Sequence, residues 1–417
     1  MSSTRRAPGT TRKLLALSLS MALAMSGVGI ILPIVPSHLE HLGLVNSTSA
    51  QVALHVSLLA AGYALMYLLF APLWGRLSDS LGRRPLLVIG LTGFAIGQAL
   101  CGLATSLAAV YVIRLGTGIF SAAIIPAAFA FVADTTSDEE RTRGMAQLSA
   151  AGGIGFVIGP ALGGLLGGIK LPASGLPLAD FSLPFYAASG CALLALLTLR
   201  WLKEPVVLAA VQQPGTASWT ELVRRIGLPL GVAMAGQAAI ALFETSFALH
   251  ASTKLDMGLV EIGTVFMTCG LMMLVVQFGA VARLASRFGE VHLASVALAL
   301  MGLSLAPLAA ARSSAFVFAL VALYGIGMGL LTPVVSALVS RRGGAHAGAA
   351  LGLEGSAKGL GLIAGPVLGG VLFGSSIAVP YWLASGLLLG LAPILAWSGR
   401  HPQIAPKQSR IESQADV

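Results

Sequence analysis

Long apolar runs alternate with short polar stretches along the whole chain. Twelve runs, centred near residues 24, 62, 96, 121, 157, 192, 238, 270, 300, 326, 360 and 388, reach the roughly 20 apolar residues that cross a hydrocarbon core. Inside a bilayer only helices and closed barrels satisfy the backbone. Barrel strands alternate apolar and polar positions. These runs are longer and uniformly apolar, so the pattern predicts twelve transmembrane helices and an all-α membrane protein.

The polar stretches differ in charge. With both ends of the chain on the cytoplasmic side, twenty Lys and Arg residues fall in segments on that side. Only Lys170, Lys254 and Arg312 fall in outer loops, and Arg114 and Lys358 lie within spans. That bias sets the orientation and agrees with an even number of spans. The basic N-terminal stretch 1–13 imitates a signal peptide, but eleven more apolar segments follow the first, so it reads as a cytoplasmic tail. The longest polar stretch between spans, 203–225, reads as a cytoplasmic linker. It separates an N-terminal six-helix half (14–202) from a C-terminal one (226–398), and 399–417 reads as a polar, disordered cytoplasmic tail.

The two halves echo each other. Residues 152–168 read GGIGFVIGPALGGLLGG and residues 358–374 read KGLGLIAGPVLGGVLFG, 206 positions later. A weaker echo, at 207 positions, relates GRLSDSLG at 75–82 to ARLASRFG at 282–289. Two related six-helix halves are the plan of a rocking carrier with its site near the midplane, between the halves.

Composition agrees. The 417 residues are 56% hydrophobic and only 10% charged, whereas soluble domains carry about a quarter charged residues. The net charge of +9 does not point to nucleic acid, because the basic residues sit in short loops rather than on one face. Cys101, Cys191 and Cys269 all lie in apolar runs and read as packing residues. No metal site and no P-loop is visible, so no cofactor is implied and the driving force is expected to be an ion gradient.

On these motifs the chain resembles the major facilitator superfamily over nearly its whole length. Gly75-Arg76-Leu77-Ser78-Asp79-Ser80-Leu81-Gly82-Arg83-Arg84-Pro85 is similar to the superfamily's loop motif. Gly155, Gly159, Pro160, Gly163 and Gly164 in the fifth run resemble the antiporter motif, and Arg114-Leu115-Gly116-Thr117-Gly118 resembles the arginine motif of proton-coupled members. The first run, the stretch FVADTTSDEERTRG and Leu242–Phe247 resemble tetracycline and multidrug efflux pumps of the twelve-helix drug:proton antiporter group. Two positions depart from this group. Ala24 stands where several tetracycline pumps carry an acid, and Gly329 where some multidrug pumps carry one. The resemblance implies the major facilitator fold, alternating access, a cavity built mainly from spans 1, 4, 7 and 10, and a monomer.

Several residues carry candidate chemistry. Glu244 lies deep in the seventh run, where a carboxylate is costly and marks a function by default. It reads as a proton carrier or a site for a cationic substrate, against a structural hydrogen bond. Arg114 reads as a proton relay or an anion contact, against an interhelical bond. Glu354 and Lys358, four residues apart, share a helix face and are expected to neutralise each other; an unpaired Lys358 would favour an anionic substrate. Asp79, Arg83, Arg84 and Asp134, with Gly75 and Gly82 of the loop motif, read as a conformational latch in which Arg83 pairs with Asp134. Gln98, Gln147, Gln237, Gln277, Tyr63, Tyr67, Tyr324 and Trp382 are unsorted pocket or interface candidates, and His55 and His250 read as boundary residues.

The expected function is proton-coupled export of small lipophilic or weakly charged compounds from the cytoplasm across the inner membrane, with a small molecule, protons and the bilayer as partners. A carrier of an anionic metabolite, sugar or siderophore is the alternative. A lipid flippase or a transport-dead sensor is the alternative of another class. No nucleophile–base pair or metal cluster points to an enzyme.

Overall fold

A computed structural model describes residues 8–44, 48–135, 138–169, 182–202, 219–344 and 347–400. Among these residues there are helices and no strands, and twelve helices are long and apolar enough to cross a membrane. In order, spans 1 to 6 are Lys13–Ile31, Ser49–Leu77, Arg83–Leu103, Leu107–Val132, Gly144–Gly167 and Ser182–Leu199. Spans 7 to 12 are Leu222–Lys254, Leu259–Gly279, Glu290–Leu308, Ser314–Gly343, Ala350–Phe373 and Ala378–Ser398. The expected tail beyond residue 400 and most of the expected linker, 203–218, lie outside the described residues.

Span 4 is broken near its middle: a helix Leu107–Ser121 gives way to a second, Ile124–Thr135. Pro126 has no amide hydrogen to offer the carbonyl four residues back. Span 8 ends at Gly279 and is followed by a short helix, Val281–Phe288.

Burial follows what a bilayer demands. Large apolar side chains such as Val112, Phe278 and Trp397 point outward, where hydrocarbon accepts them. One buried cluster draws only on residues 16–202 and includes Leu17, Leu86, Phe94 and Phe131. Another draws only on residues 222–395 and centres on Phe243, Phe247, Phe266 and Tyr324, whose rings pack with centroids 4.9–5.7 Å apart.

Lipid tails are as apolar as leucine, so helices in a membrane associate through close packing and hydrogen bonds. Both devices recur in register in the two halves. Gly155, Gly159 and Gly163 on span 5 face the carbonyls of Ala22, Ser26 and Ile30 on span 1, so closely that a Cβ at any of the three would strike backbone. On spans 11 and 7, Gly361 and Gly365 face the carbonyls of Met234 and Ala238 in the same way. Hydroxyls on spans 6 and 12 donate to carbonyls on spans 3 and 9: Ser189 to Ala95 at 2.8 Å and Ser385 to Gly302 at 2.7 Å. The acceptors lie 207 positions apart, as do Gly82 and Gly289, the turn residues before spans 3 and 9, which hold φ of 94° and 78°.

Between the two clusters the chain touches itself along two seams. In the first, Gly164 of span 5 lies against Leu259 and Gly263 of span 8, and Gly263 lies against Pro160. In the second, Gly370 of span 11 lies against Ser57 and Ala53 of span 2. At the end away from the basic loops, an apolar plug of Leu39, Val52, Val56, Leu59 and Val110 takes in Leu249 and Phe373 from the second half.

The glycine contacts predict a contrast. Gly159→Val is expected to destabilise the detergent-solubilised protein by about 1–3 kcal/mol, because the new side chain has only backbone to displace. Gly190→Ala, where a Cβ meets nothing within 4 Å, is expected to leave the melting temperature unchanged or raise it. Thermal denaturation of both variants checks this.

Candidate transport site

A cavity of about 360 Å³ lies between the two six-helix sets. Its first wall takes Val28 and Ile31 from span 1 and Leu32 just after it, Ala60 and Tyr63 from span 2, Phe94 and Gln98 from span 3, Arg114 from span 4 and Phe156 from span 5. The opposite wall takes Gln237, Ile240, Glu244 and Thr245 from span 7, Met328 and Thr332 from span 10, and Leu362 and Pro366 from span 11. The expected lining by spans 1, 4, 7 and 10 is therefore redistributed. Spans 2, 5 and 11 carry the seams between the halves, so their inner edges border the cavity, and span 4 contributes Arg114 alone.

Each wall holds one charged group. Glu244 projects from span 7 near Tyr324 and Cys269, which lie within its electrostatic reach. No hydrogen bond or ion pair joins its carboxylate to a described residue. The neighbouring Thr245 hydroxyl is spent on the carbonyl of Ala241 at 2.9 Å. Arg114 holds its guanidinium 5.0 Å from the centre of the Tyr63 ring and forms no ion pair with a described carboxylate. On the same wall, Gln98 is 1% exposed, and neither end of its amide has a hydrogen-bond partner among the described residues.

The other intramembrane pair is closed on itself. Lys358 Nζ lies 2.6 Å from Glu354 Oε1. The Ser336 hydroxyl donates to the same oxygen at 2.6 Å and receives Lys358 at 3.2 Å. Glu354 is buried and does not line the cavity, whereas Lys358 borders a small recess that shares Gln237 and Thr332 with it.

At the basic-loop end, Arg83 Nε meets Asp134 at 2.7 Å, tying the start of span 3 to the end of span 4. Arg84 Nε donates to the carbonyl of Leu199 at 3.2 Å, at the end of span 6. The side chain of Asp79 lies outside the described residues. Gly75 faces open space. Sequence reasoning missed the counterpart in the second half, where Glu290 Oε1 meets Arg341 at 3.0 Å. The repeat offset of 207, applied to Arg83 and Asp134, lands on these two residues with the charges exchanged.

Of the antiporter-motif residues, Gly155, Gly159 and Gly163 pack within the first half, while Pro160 and Gly164 meet span 8 across the seam. A Cβ at Gly329 would lie 2.6 Å from the carbonyl of Met273, so that position has no room for an acid. Ala24 is buried in the first core. The unsorted polar residues now separate. Gln98, Gln237 and Tyr63 line the cavity, Gln147 donates to Ser18 at 3.3 Å, and Trp382 faces outward. His55 and His250 bond Tyr111 and Tyr381 at 2.9 and 3.2 Å. His38, after span 1, is buried against Phe185. Burial, then the neighbouring His41, lowers its pKa to about 4, so it stays neutral near pH 7. The lining residues Phe94, Phe156 and Met328 gave no signal, being apolar residues in apolar runs.

The model of the Major Facilitator Superfamily matches residues 17–289 and 260–415. The chain belongs to the major facilitator superfamily. It is a multi-pass membrane transporter of small molecules. Multidrug resistance protein 1 of Bacillus subtilis is 27% identical over 91% of this chain and 94% of its own length. The class D tetracycline resistance protein of Salmonella ordonez is 30% identical over 90% and 94%. Among solved structures, the human organic anion transporter MFSD10 superposes with a TM-score of 0.69 at 24% identity, covering 93% of this chain and all of that one. The nucleoside transporter NupG gives 0.69 at 16% identity, covering 93% and 99%.

The reversed ion pair in the second half predicts that the first tolerates reversal. Asp134→Arg alone sets two cations together and is expected to cost about 1–2 kcal/mol, between the values for exposed and buried pairs. Adding Arg83→Glu is expected to restore most of the loss. Melting temperatures of the single and double variants check this.

Proposed function

We propose that this transporter exports small lipophilic or weakly charged, drug-like compounds in exchange for protons, by alternating access, with Glu244 as the proton carrier. One observation carries the reading: a carboxylate in an apolar cavity with no partner among the described residues. An ionised group in such a place is costly. A proton or a cationic group on the substrate relieves that cost, and the two compete for the same oxygens. That competition is the coupling. On one side of the membrane the substrate displaces the proton, and on the other the proton displaces the substrate.

In this reading 14–202 and 226–398 move as two halves about the cavity, joined by the linker 203–225. The Arg83–Asp134 pair, with Asp79 and Arg84, latches the basic-loop end. Gly164 and Pro160 form part of a seam that keeps protons from leaking past. The lysine and arginine bias supports cytoplasmic termini in the inner membrane. A cavity walled by a single chain supports a working monomer. The functions for which the relatives are named, multidrug and tetracycline resistance, support drug-like cargo. Carriage of an anionic solute is the second reading, favoured by Arg114, whose guanidinium has no acidic partner among the described residues.

Everted vesicles loaded with acid test the main reading. Adding lipophilic dyes or tetracyclines is expected to release protons from the lumen, and Glu244→Gln is expected to abolish that release with insertion and expression unchanged. Proton-coupled uptake that persists unaltered in Glu244→Gln would remove Glu244 from the mechanism.

A further inference from the structure

The cavity places opposite charges on opposite halves. Arg114 stands on the wall from spans 1 to 5 and Glu244 on the wall from spans 7, 10 and 11. Neither has an ionic partner among the described residues. Gln98 adds a second unmet demand on the Arg114 side. Its amide is almost fully buried and lines the cavity, with donor and acceptor both unused among the described residues.

Helix geometry brings Gln98 and Arg114 to one place. Span 3 passes span 4 so that Gly97 packs on Thr117. Arg114 lies three residues before Thr117, within electrostatic reach of Cys101, three residues after Gln98. Residues three apart share a helix face. The guanidinium and the amide therefore lie on the same side of the cavity, in a wall that is otherwise aromatic and aliphatic. A guanidinium beside a neutral amide suits a carboxylate, which accepts from several N–H groups at once.

We propose that the substrate is a dipolar aromatic compound, its anionic group held by Arg114 and Gln98 and its cationic group by Glu244, so that one molecule bridges the two halves. A cation alone leaves the arginine uncompensated, and an anion alone leaves the glutamate to a proton; a dipolar molecule meets both demands itself. The cavity volume of about 360 Å³ suits a compact ring system, near the lower end of ligand pockets of about 300–1,000 Å³. Since Gln98, Arg114 and Glu244 belong to different halves, the bridge forms only when both walls close on the ligand. This rests on the efflux reading for the place of Glu244 in the cavity, and it adds the anionic pole.

Equilibrium binding to the purified full chain in detergent separates the two. The probes are a biaryl carboxylic acid bearing a piperazine ring, its methyl ester (cation only), its N-acetyl derivative (anion only) and tetraphenylphosphonium. The dipolar acid is expected to bind about ten-fold more tightly than either single-pole derivative, the scale of one charge-assisted hydrogen bond. Arg114→Gln is expected to erase the gap between acid and ester, and Glu244→Gln the gap between acid and N-acetyl derivative. Gln98→Glu, which gives Arg114 an internal partner, is expected to erase the acid–ester gap by a second route, should Arg114→Gln fold poorly. Equal binding of acid, ester and tetraphenylphosphonium overturns the dipolar proposal and leaves the efflux reading standing. Binding of the N-acetyl derivative as tightly as the acid, with the ester weak, overturns it in favour of an anion carrier. Binding of none of the four overturns both.

Discussion

A charge held in hydrocarbon has to be compensated, and the organisation of this transporter turns on where that rule is met inside the protein and where it is not. Lys358 and Glu354 meet it through each other and Ser336, within 3.2 Å. Glu244 and Arg114 face the cavity without an ionic partner among the described residues. On the proposed mechanism, the contrast separates a structural pair from a working one. A self-compensated pair asks nothing of a ligand, whereas the two cavity charges ask for a proton, a substrate or both. Their placement on different halves links that demand to conformation, because compensation of one by a ligand that also contacts the other depends on the distance between the walls.

Holding two such charges at a defined separation requires rigid walls. The halves obtain them from backbone-to-backbone contact rather than from large side chains. Gly155, Gly159 and Gly163 lay span 5 onto the carbonyls of span 1, and Gly361 and Gly365 lay span 11 onto span 7. Each half thereby fixes one cavity-lining helix against another. The seams between the halves use the same close approach, with Gly164 and Gly263 between spans 5 and 8 and Gly370 of span 11 against span 2. In the proposed rocking motion the glycine-packed helix pairs within each half stay together while these seams part.

The helical framework was legible from apolar run length alone, because hydrocarbon permits so few backbone solutions. Twelve runs became twelve spans, and the repeat offset reappeared as matched turn conformations at Gly82 and Gly289 and matched hydrogen-bond acceptors at Ala95 and Gly302. The charged residues of the cavity were legible too, since Glu244 and Arg114 stand out in apolar surroundings. The pocket walls were not. Phe94, Phe156 and Met328 are indistinguishable by composition from residues facing lipid, and only the packing of helices sorts them. Nor did the sequence reveal that Gln98 would line the cavity unpartnered while Gln147 bonds Ser18. The Glu290–Arg341 pair was within reach of the repeat arithmetic but was hidden by its exchanged charges.

The central claim is that the substrate and a proton compete for Glu244. Proton release measured on mixing the purified protein, in weakly buffered detergent solution with a pH-sensitive dye, with a compound shown to be transported, tests it without a membrane or a gradient. The account predicts a burst of protons from the wild-type protein that saturates with the bound compound and is absent from Glu244→Gln, although that variant still binds the compound. The same burst from Glu244→Gln would contradict it.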